Sequence, residues 1–242
     1  MSPVEPVLRG RTALVSGASR GIGLAIARGL AREGVRVAML ARGEAELRAR
    51  AAELGAGALA LPCDVGDPDA TRQAAGELAD RFGGAPDIVV NNAGLFALAR
   101  VDHTTVSAFH RMLDVNLVGP FVLLRELLPA MRARGRGHVV TIGSIADHRI
   151  FPENASYSAS KFGLRALHEV TRLELKGTGV RATLVSPGPV NTGIWDEVQP
   201  DERPGFARRR EMLSPDAVAA AVLFAITQPD DVNVDELRLS RS

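Results

Sequence analysis

The chain has a single tyrosine, Tyr157, and it stands four residues ahead of Lys161, one of only two lysines among 242 residues. Residues four apart share a helix face, so a phenol and an ammonium at this spacing can point the same way. A free phenol holds its proton to about pH 10. A neighbouring cation stabilises the phenolate and would bring the group toward the range in which it trades a proton with an alcohol or a carbonyl. Tyr-x3-Lys alone is a common helix pair, but here both members are scarce. Of 29 basic residues all but Lys161 and Lys176 are arginine, so a surviving ammonium invites a chemical reason.

A second feature handles anions. Ser16-Gly17-Ala18-Ser19-Arg20-Gly21-Ile22-Gly23 follows a short apolar run. Gly17, Gly21 and Gly23 let the chain turn tightly and bring its backbone close to a phosphate. A helix starting there offers free N–H groups and the positive end of its dipole. The spacing is G-x3-G-x-G, not the G-x-G-x-x-G of the common dinucleotide fingerprint. A glycine-rich turn alone says little, and its place after a first strand gives it weight.

The elements that must position these groups follow from the pattern of apolar runs and amphipathic stretches. Strands are predicted at Thr12–Ser16, Val35–Leu40, Ala58–Pro62, Ile88–Asn91, Val139–Ile142, Val180–Val185 and Leu237–Leu239. Helices are predicted over about Gly21–Glu33 and Glu44–Leu54, from Asp67-Pro68, over about Thr105–Arg134 and Ala155–Lys176, and from Ser214-Pro215-Asp216. Asp67 and Ser214 suit N-caps ahead of prolines, and Gly177 suits a C-cap. Pro120 should kink the long helix. This alternation predicts an α/β, doubly wound, seven-stranded parallel sheet with helices on both faces, in one domain. The weakly patterned Asn191–Leu213 segment is a candidate lid.

Composition narrows the function. With 46% hydrophobic residues and 24% charged, a chain of this length can bury a core without disulfide or metal. One cysteine, Cys63, allows no internal bridge and no sulfur-ligated metal cluster, which points to a reducing compartment. Met1 to Gly10 does not read as a signal peptide, and no apolar run reaches the 18 or so residues of a membrane span. Cytoplasm is therefore expected. A net charge of +1 gives no reason to expect nucleic acid, and the arginines at 203, 208, 209 and 210 lie close to Asp201, Glu202 and Glu211, as on a solvated mixed-charge surface.

Cofactor preference turns on the tip of the second strand, where an acid usually binds the adenosine ribose of NAD(H). Leu40-Ala41-Arg42 offers none. Arg42 and Arg20 could instead clamp a 2′-phosphate, which favours NADP(H).

Together the glycine motif, Asn91-Asn92-Ala93-Gly94, Ser144 in Gly143-Ser144, Tyr157 through Lys161 and Pro187-Gly188 resemble the classical short-chain dehydrogenase/reductases in order and spacing, over essentially the whole chain. The resemblance implies a Rossmann-type fold and an oxidoreductase in which Tyr157 moves the proton while hydride passes to or from the nicotinamide. Lys161 would tune Tyr157 and hold the nicotinamide ribose, Ser144 would bond the substrate oxygen, and Asn116 would hold a proton-relay water. Gly17, Ser19, Arg20, Gly21, Ile22, Gly23 and Arg42 would bind the phosphates and ribose. Asp64, Val65, Asn91, Ala93 and Gly94 would line the adenosine side, and Pro187, Gly188, Val190 and Thr192 the nicotinamide end. Homodimers or homotetramers would form through the helices at about 105–134 and 155–176, using positions such as Val118, Phe121, Val122, Leu167 and Val170. Ser16 replaces the family's usual threonine, and Asn233–Leu239 lacks the glycine-rich ending of the fatty-acid ketoreductases, which argues against an acyl-carrier substrate.

The substrate is expected to be a small molecule carrying a carbonyl or secondary alcohol. Its pocket would be walled by Leu95–Ala97, Ile145–Asn154, Pro189 and the Asn191–Leu213 segment. Ile145, Ile150 and Phe151 would give it apolar surface, with Trp195 above and His148 more structural than catalytic. The rival reading is an NADP(H)-binding sensor or scaffold without turnover, and the retained Tyr157 and Lys161 weigh against it.

Overall fold

The computed structural model describes residues 8–242. The reading of Met1–Gly10 as free of a signal peptide falls mostly on residues 1–7, which lie outside the described residues. Seven strands, β1 (Thr12–Ser16), β2 (Arg36–Ala41), β3 (Leu59–Pro62), β4 (Ile88–Asn91), β5 (Gly137–Ile142), β6 (Val180–Pro187) and β7 (Glu236–Leu239), form one sheet in the order β3-β2-β1-β4-β5-β6-β7. Every pairing is parallel. β1, β4 and β6 are almost wholly buried, as strands covered on both faces must be.

The connecting helices are α1 (Gly21–Arg32), α2 (Glu44–Leu54), α3 (Pro68–Phe82), α4 (Val106–Leu113), α5 (Gly119–Arg134), α6 (Ala155–Glu174) and α7 (Pro215–Ile226). Two apolar cores flank the sheet. One joins α1, α2 and α7 to the strands through residues such as Ile26, Leu30, Leu47, Val218 and Val222. The other is built from α3 and α5 through Leu78, Leu123, Leu127 and Met131. The order in which strands are laid down reverses between β1 and β4, and a cleft opens there at the strands' carboxyl ends, where such folds take ligands.

Asp67 caps α3 by accepting from Asp69 N and Ala70 N, and Ser214 caps α7 by accepting from Ala217 N. Two expectations change. The continuous helix over 105–134 is two helices joined by a π-helical turn at Asp114–Val118, with Pro120 in the first turn of α5. Pro120 has no N–H to return to the Asn116 carbonyl, so the chain widens one turn ahead of it. The helix at 155 ends at Glu174, short of Gly177, whose φ of +79° belongs to the turn beyond. No described helix is long and apolar enough to cross a membrane.

Candidate active site

The cleft is a cavity of about 950 Å³ running from the β1–α1 turn to the 191–213 segment. At its first end the backbone itself forms the wall. Gly17 (φ +66°) lies so near the β4 end that a Cβ there would stand 2.8 Å from Ala93 Cα. A Cβ on Gly23 would stand 2.2 Å from Gly17 O, so that glycine packs the helix start and does not line the cavity. Arg20 occupies the N-cap of α1 without a side-chain cap bond, which leaves the helix's first N–H groups directed at the cleft. Ser16 Oγ accepts from Asn92 N and Ala93 N at 3.0 Å each and ties this turn to β4.

Gly17, Ser19, Arg20, Gly21, Ile22, Arg42, Asp64, Val65, Ala93, Gly94, Pro187, Gly188, Val190 and Thr192 all line the cavity, as do Ser144, Tyr157 and Lys161. Asn91 does not: its side chain is buried, with both polar atoms unpartnered, whereas Asn92 lines the cleft and donates to Ser16 O at 2.8 Å. The one-residue alternation of a strand end turns the two asparagines to opposite sides. The Asp64 carboxylate accepts from Arg111 at 2.6 Å and from Gly66 N at 3.0 Å. Burial opposes its charge, yet those bonds hold its pKa below the usual value. Glu46, from the first turn of α2, shares the arginine-bearing end.

α6 carries Tyr157 and Lys161 to the cleft floor, Lys161 Nζ 5.7 Å from the phenol ring centroid and donating to Ile142 O at 3.0 Å. The expected lowering of the phenol pKa is reversed. Burial pushes Tyr157 up to about 12, with the Ser144 hydroxyl opposing and Asp147 adding to the rise. Burial also pushes Lys161 down to about 8, against the pull of Asp147. Desolvation thus outweighs the Ser144 hydroxyl at the phenol.

Asn116 lies off the cavity and is fully buried on the π turn. Its Oδ1 accepts from Leu95 N at 2.7 Å, and its Nδ2 donates to Leu95 O at 3.0 Å and Ser160 Oγ at 2.9 Å. The side chain is saturated by protein, so the expected relay water is left to its main-chain carbonyl, which Pro120 has no N–H to meet. Gly94 sits beside it: a Cβ there would lie 3.5 Å from Asn116 Oδ1 and 4.0 Å from Lys161 Nζ.

Beyond Tyr157 the cavity turns aromatic. Phe96 meets the Tyr157 ring edge-on at 4.8 Å, Trp195 meets Phe96 at 4.9 Å, and Phe206 meets Trp195 at 6.4 Å. Trp195 Nε1 donates to Val190 O at 3.0 Å, which fixes the indole plane. The 191–213 segment folds over this end and is fastened by Arg209 to Asp196 at 2.6 Å, by Arg203 to Glu153, and by the Val190–Leu213 bridge. Ile145 and Phe151 line the pocket as expected, but Ile150 is 80% exposed and turns away, and Leu98 takes the place given to Ala97. His148 lies outside the cavity, against Asp147 at 2.7 Å.

Sequence reasoning held Phe96 and Asp147 only within the pocket ranges Leu95–Ala97 and Ile145–Asn154 and Asn92 only within its motif, with no part of their own, and it missed Ser186. No spacing signal links Phe96 to Tyr157. Asp147 carried one in retrospect, as the acid three residues after a Ser in a capping-box pattern.

The fold and cleft define a doubly wound α/β protein with a ligand cleft at the switch in its strand order. The short chain dehydrogenase family model matches residues 11–203, and the chain belongs to that oxidoreductase family. It is 35% identical to the glycine betaine reductase ATRR of Emericella nidulans over 98% of this chain, but spans only 19% of that protein's length. A metagenomic short-chain oxidoreductase in complex with NADP is 33% identical, with a TM-score of 0.84 over 98% of this chain and 99% of that one. The alcohol dehydrogenase of the archaeon Thermococcus sibiricus, complexed with 5-hydroxy-NADP, is also 33% identical, with a TM-score of 0.84 over 95% of each chain.

Proposed function

We propose that this oxidoreductase interconverts a carbonyl and a secondary alcohol with NADP(H), and that Tyr157 moves the proton. The observation that carries the reading is the convergence of a half-buried phenol, a buried ammonium and the Ser144 hydroxyl at the junction of the glycine-lined and aromatic ends of one cleft. The glycine cradle and uncapped start of α1 fit a pyrophosphate, and a cleft of about 950 Å³ has room for a dinucleotide. When bound, the nicotinamide supplies or accepts the hydride.

The chain's own residues then have the following parts. Ser144 Oγ accepts from Ala146 N at 3.1 Å, so its own proton is free for the substrate oxygen. Tyr157 donates its proton to that oxygen as negative charge develops there, or withdraws it from the alcohol in reverse. Lys161 supplies positive charge beneath the ring and a donor for a ribose hydroxyl. Phe96, Trp195 and Phe206 exclude water and select an apolar substrate body. Asn116 acts by holding the Leu95 backbone and Ser160 in place. The sensor reading has no observation in its favour.

Arg20 and Arg42 at the adenosine end support NADP(H). Oxidation of NADPH and NADH by a panel of aldehydes and ketones tests this. Wild type should prefer NADPH, and Arg20→Ala with Arg42→Ala should raise the KM for NADPH roughly tenfold or more while leaving that for NADH nearly unchanged. Equal loss with both cofactors would remove the 2′-phosphate assignment.

Self-association through α5 and α6 is also proposed. Phe121, Phe162, Val170 and Leu173 are exposed there, whereas Val122 is buried and Leu167 packs against the sheet core, so those two leave the expected interface set. Light scattering reads the subunit number directly.

A further inference from the structure

The carboxylate just past the end of β3 is held from behind by an arginine that is not part of the cleft wall. Asp64 lines the cavity between Cys63 and Val65, with Val115 from the π turn beside them. Those three neighbours are buried and apolar. Asp64 Oδ2 accepts from Arg111 Nη2 at 2.6 Å, and Oδ1 accepts from Gly66 N at 3.0 Å. Arg111 comes from α4 and does not line the cavity. Room for its guanidinium is built in at Gly66, where a Cβ would stand 2.3 Å from Arg111 Nη1 and 2.9 Å from Val115 Cγ2. Gly66 is not among the glycines of positive φ. Clearance for these two side chains, not backbone conformation, is what asks for glycine there.

We propose that Arg111 is the positioning residue for base recognition: it fixes the Asp64 carboxylate so that its free lone pairs accept from the amino group of an adenine ring. This rests on the reading of the cleft as an NADP(H) site, in which the family resemblance already puts Asp64 on the adenosine side; Arg111 acts on it from outside. A carboxylate has about four lone-pair directions and no donor. Gly66 N and Arg111 take one on each oxygen, which sets the plane of the group and leaves one on each for a ligand. Unpinned, a side chain 36% exposed would be spread over several rotamers. A base closing over it would then leave an unpaired charge among apolar walls. Adenine and hypoxanthine have nearly the same shape and differ at one exocyclic group. Adenine presents an amino donor there, and hypoxanthine a carbonyl oxygen that a carboxylate repels. A site built to accept a hydrogen bond rejects the analogue that cannot give it.

Calorimetric titration with NADP+ and with its hypoxanthine analogue reads the effect without turnover. Wild type should bind NADP+ at least about tenfold more tightly than the analogue. Arg111→Met keeps an aliphatic stem and removes the donors. It should bring the two affinities to within about threefold of each other, chiefly by weakening NADP+. Arg111→Lys restores one charged donor and should recover part of the preference. Gly66→Ala keeps Arg111 but drives its guanidinium from Asp64, and should behave like Arg111→Met. Melting temperature identifies a variant that does not fold, and the other then carries the test. Equal weakening of both dinucleotides in Arg111→Met would make the arginine merely structural and overturn the proposal, as would wild-type affinities that match. Wild type binding neither dinucleotide would remove the NADP(H) reading itself, and this inference with it.

Discussion

The two ends of the cleft are built by opposite means. At the glycine end, Gly17 and Gly23 bring backbone against backbone with no room for a Cβ, and α1 presents bare N–H groups. At the aromatic end, side chains from the β4–α4 connection and the 191–213 segment make a ladder from Tyr157 through Phe96 and Trp195 to Phe206. On the proposed function the first end would take a pyrophosphate, a feature common to many ligands, by main-chain geometry, and the second would select substrate shape through side chains.

Breaking the backbone end should cost most. In Gly23→Ala the new Cβ has no place, at 2.2 Å from Gly17 O and 2.5 Å from Asn92 Nδ2. Cofactor affinity should fall on the order of a hundredfold, with roughly 1–3 kcal/mol of stability, because carbonyl oxygen cannot step aside as a side chain can. Calorimetric titration with NADP+ and thermal melts read the two effects. Normal binding in this variant would mean the turn is not the phosphate cradle.

The aromatic end should respond more mildly and in another quantity. Trp195→Ala removes two ring contacts worth about 0.5–1.5 kcal/mol each. KM for an apolar ketone should rise roughly tenfold, with cofactor affinity unchanged. A matching loss of cofactor affinity would show that the two ends are not separable.

A separate, pH-dependent effect lies away from the cleft, where His138 on β5 and His168 on α6 are buried beside Thr183 and Thr141. Burial pushes their pKa values down to about 3 and about 4. Both are therefore neutral when folded and near 6.5 when unfolded. Their contribution to stability is complete above about pH 6.5 and is lost as pH falls toward 4 and then 3. Melting temperature should hold from pH 8 to 7 and decline below 6.5. A flat profile down to pH 5 would mean that these histidines find water or a partner in the fold.

Much of this was legible in the sequence for a plain reason. Parallel strands buried on both faces must be short apolar runs, and the amphipathic stretches between them must be helices, so the seven strands fall within two residues of expectation. Tyr157, Lys161 and the glycine turn were legible because each is a local pattern. Contacts distant in sequence were not. Phe96 reaches Tyr157 only through the sheet, Asp147 is defined by burial that spacing does not show, and Asn91 and Asn92 trade roles through the pleat at one strand end. The sign of the Tyr157 shift was also out of reach, since it is decided by desolvation, which exists only once the phenol is enclosed.

The central claim is that Tyr157 carries the proton, and Tyr157→Phe tests it most directly, since only the phenolic oxygen is removed. NADPH oxidation with a ketone that wild type turns over should fall by on the order of a hundredfold to ten-thousandfold, with NADP+ affinity and melting temperature near wild type. Retention of more than about a tenth of the wild-type kcat would contradict the account and place the proton donor elsewhere.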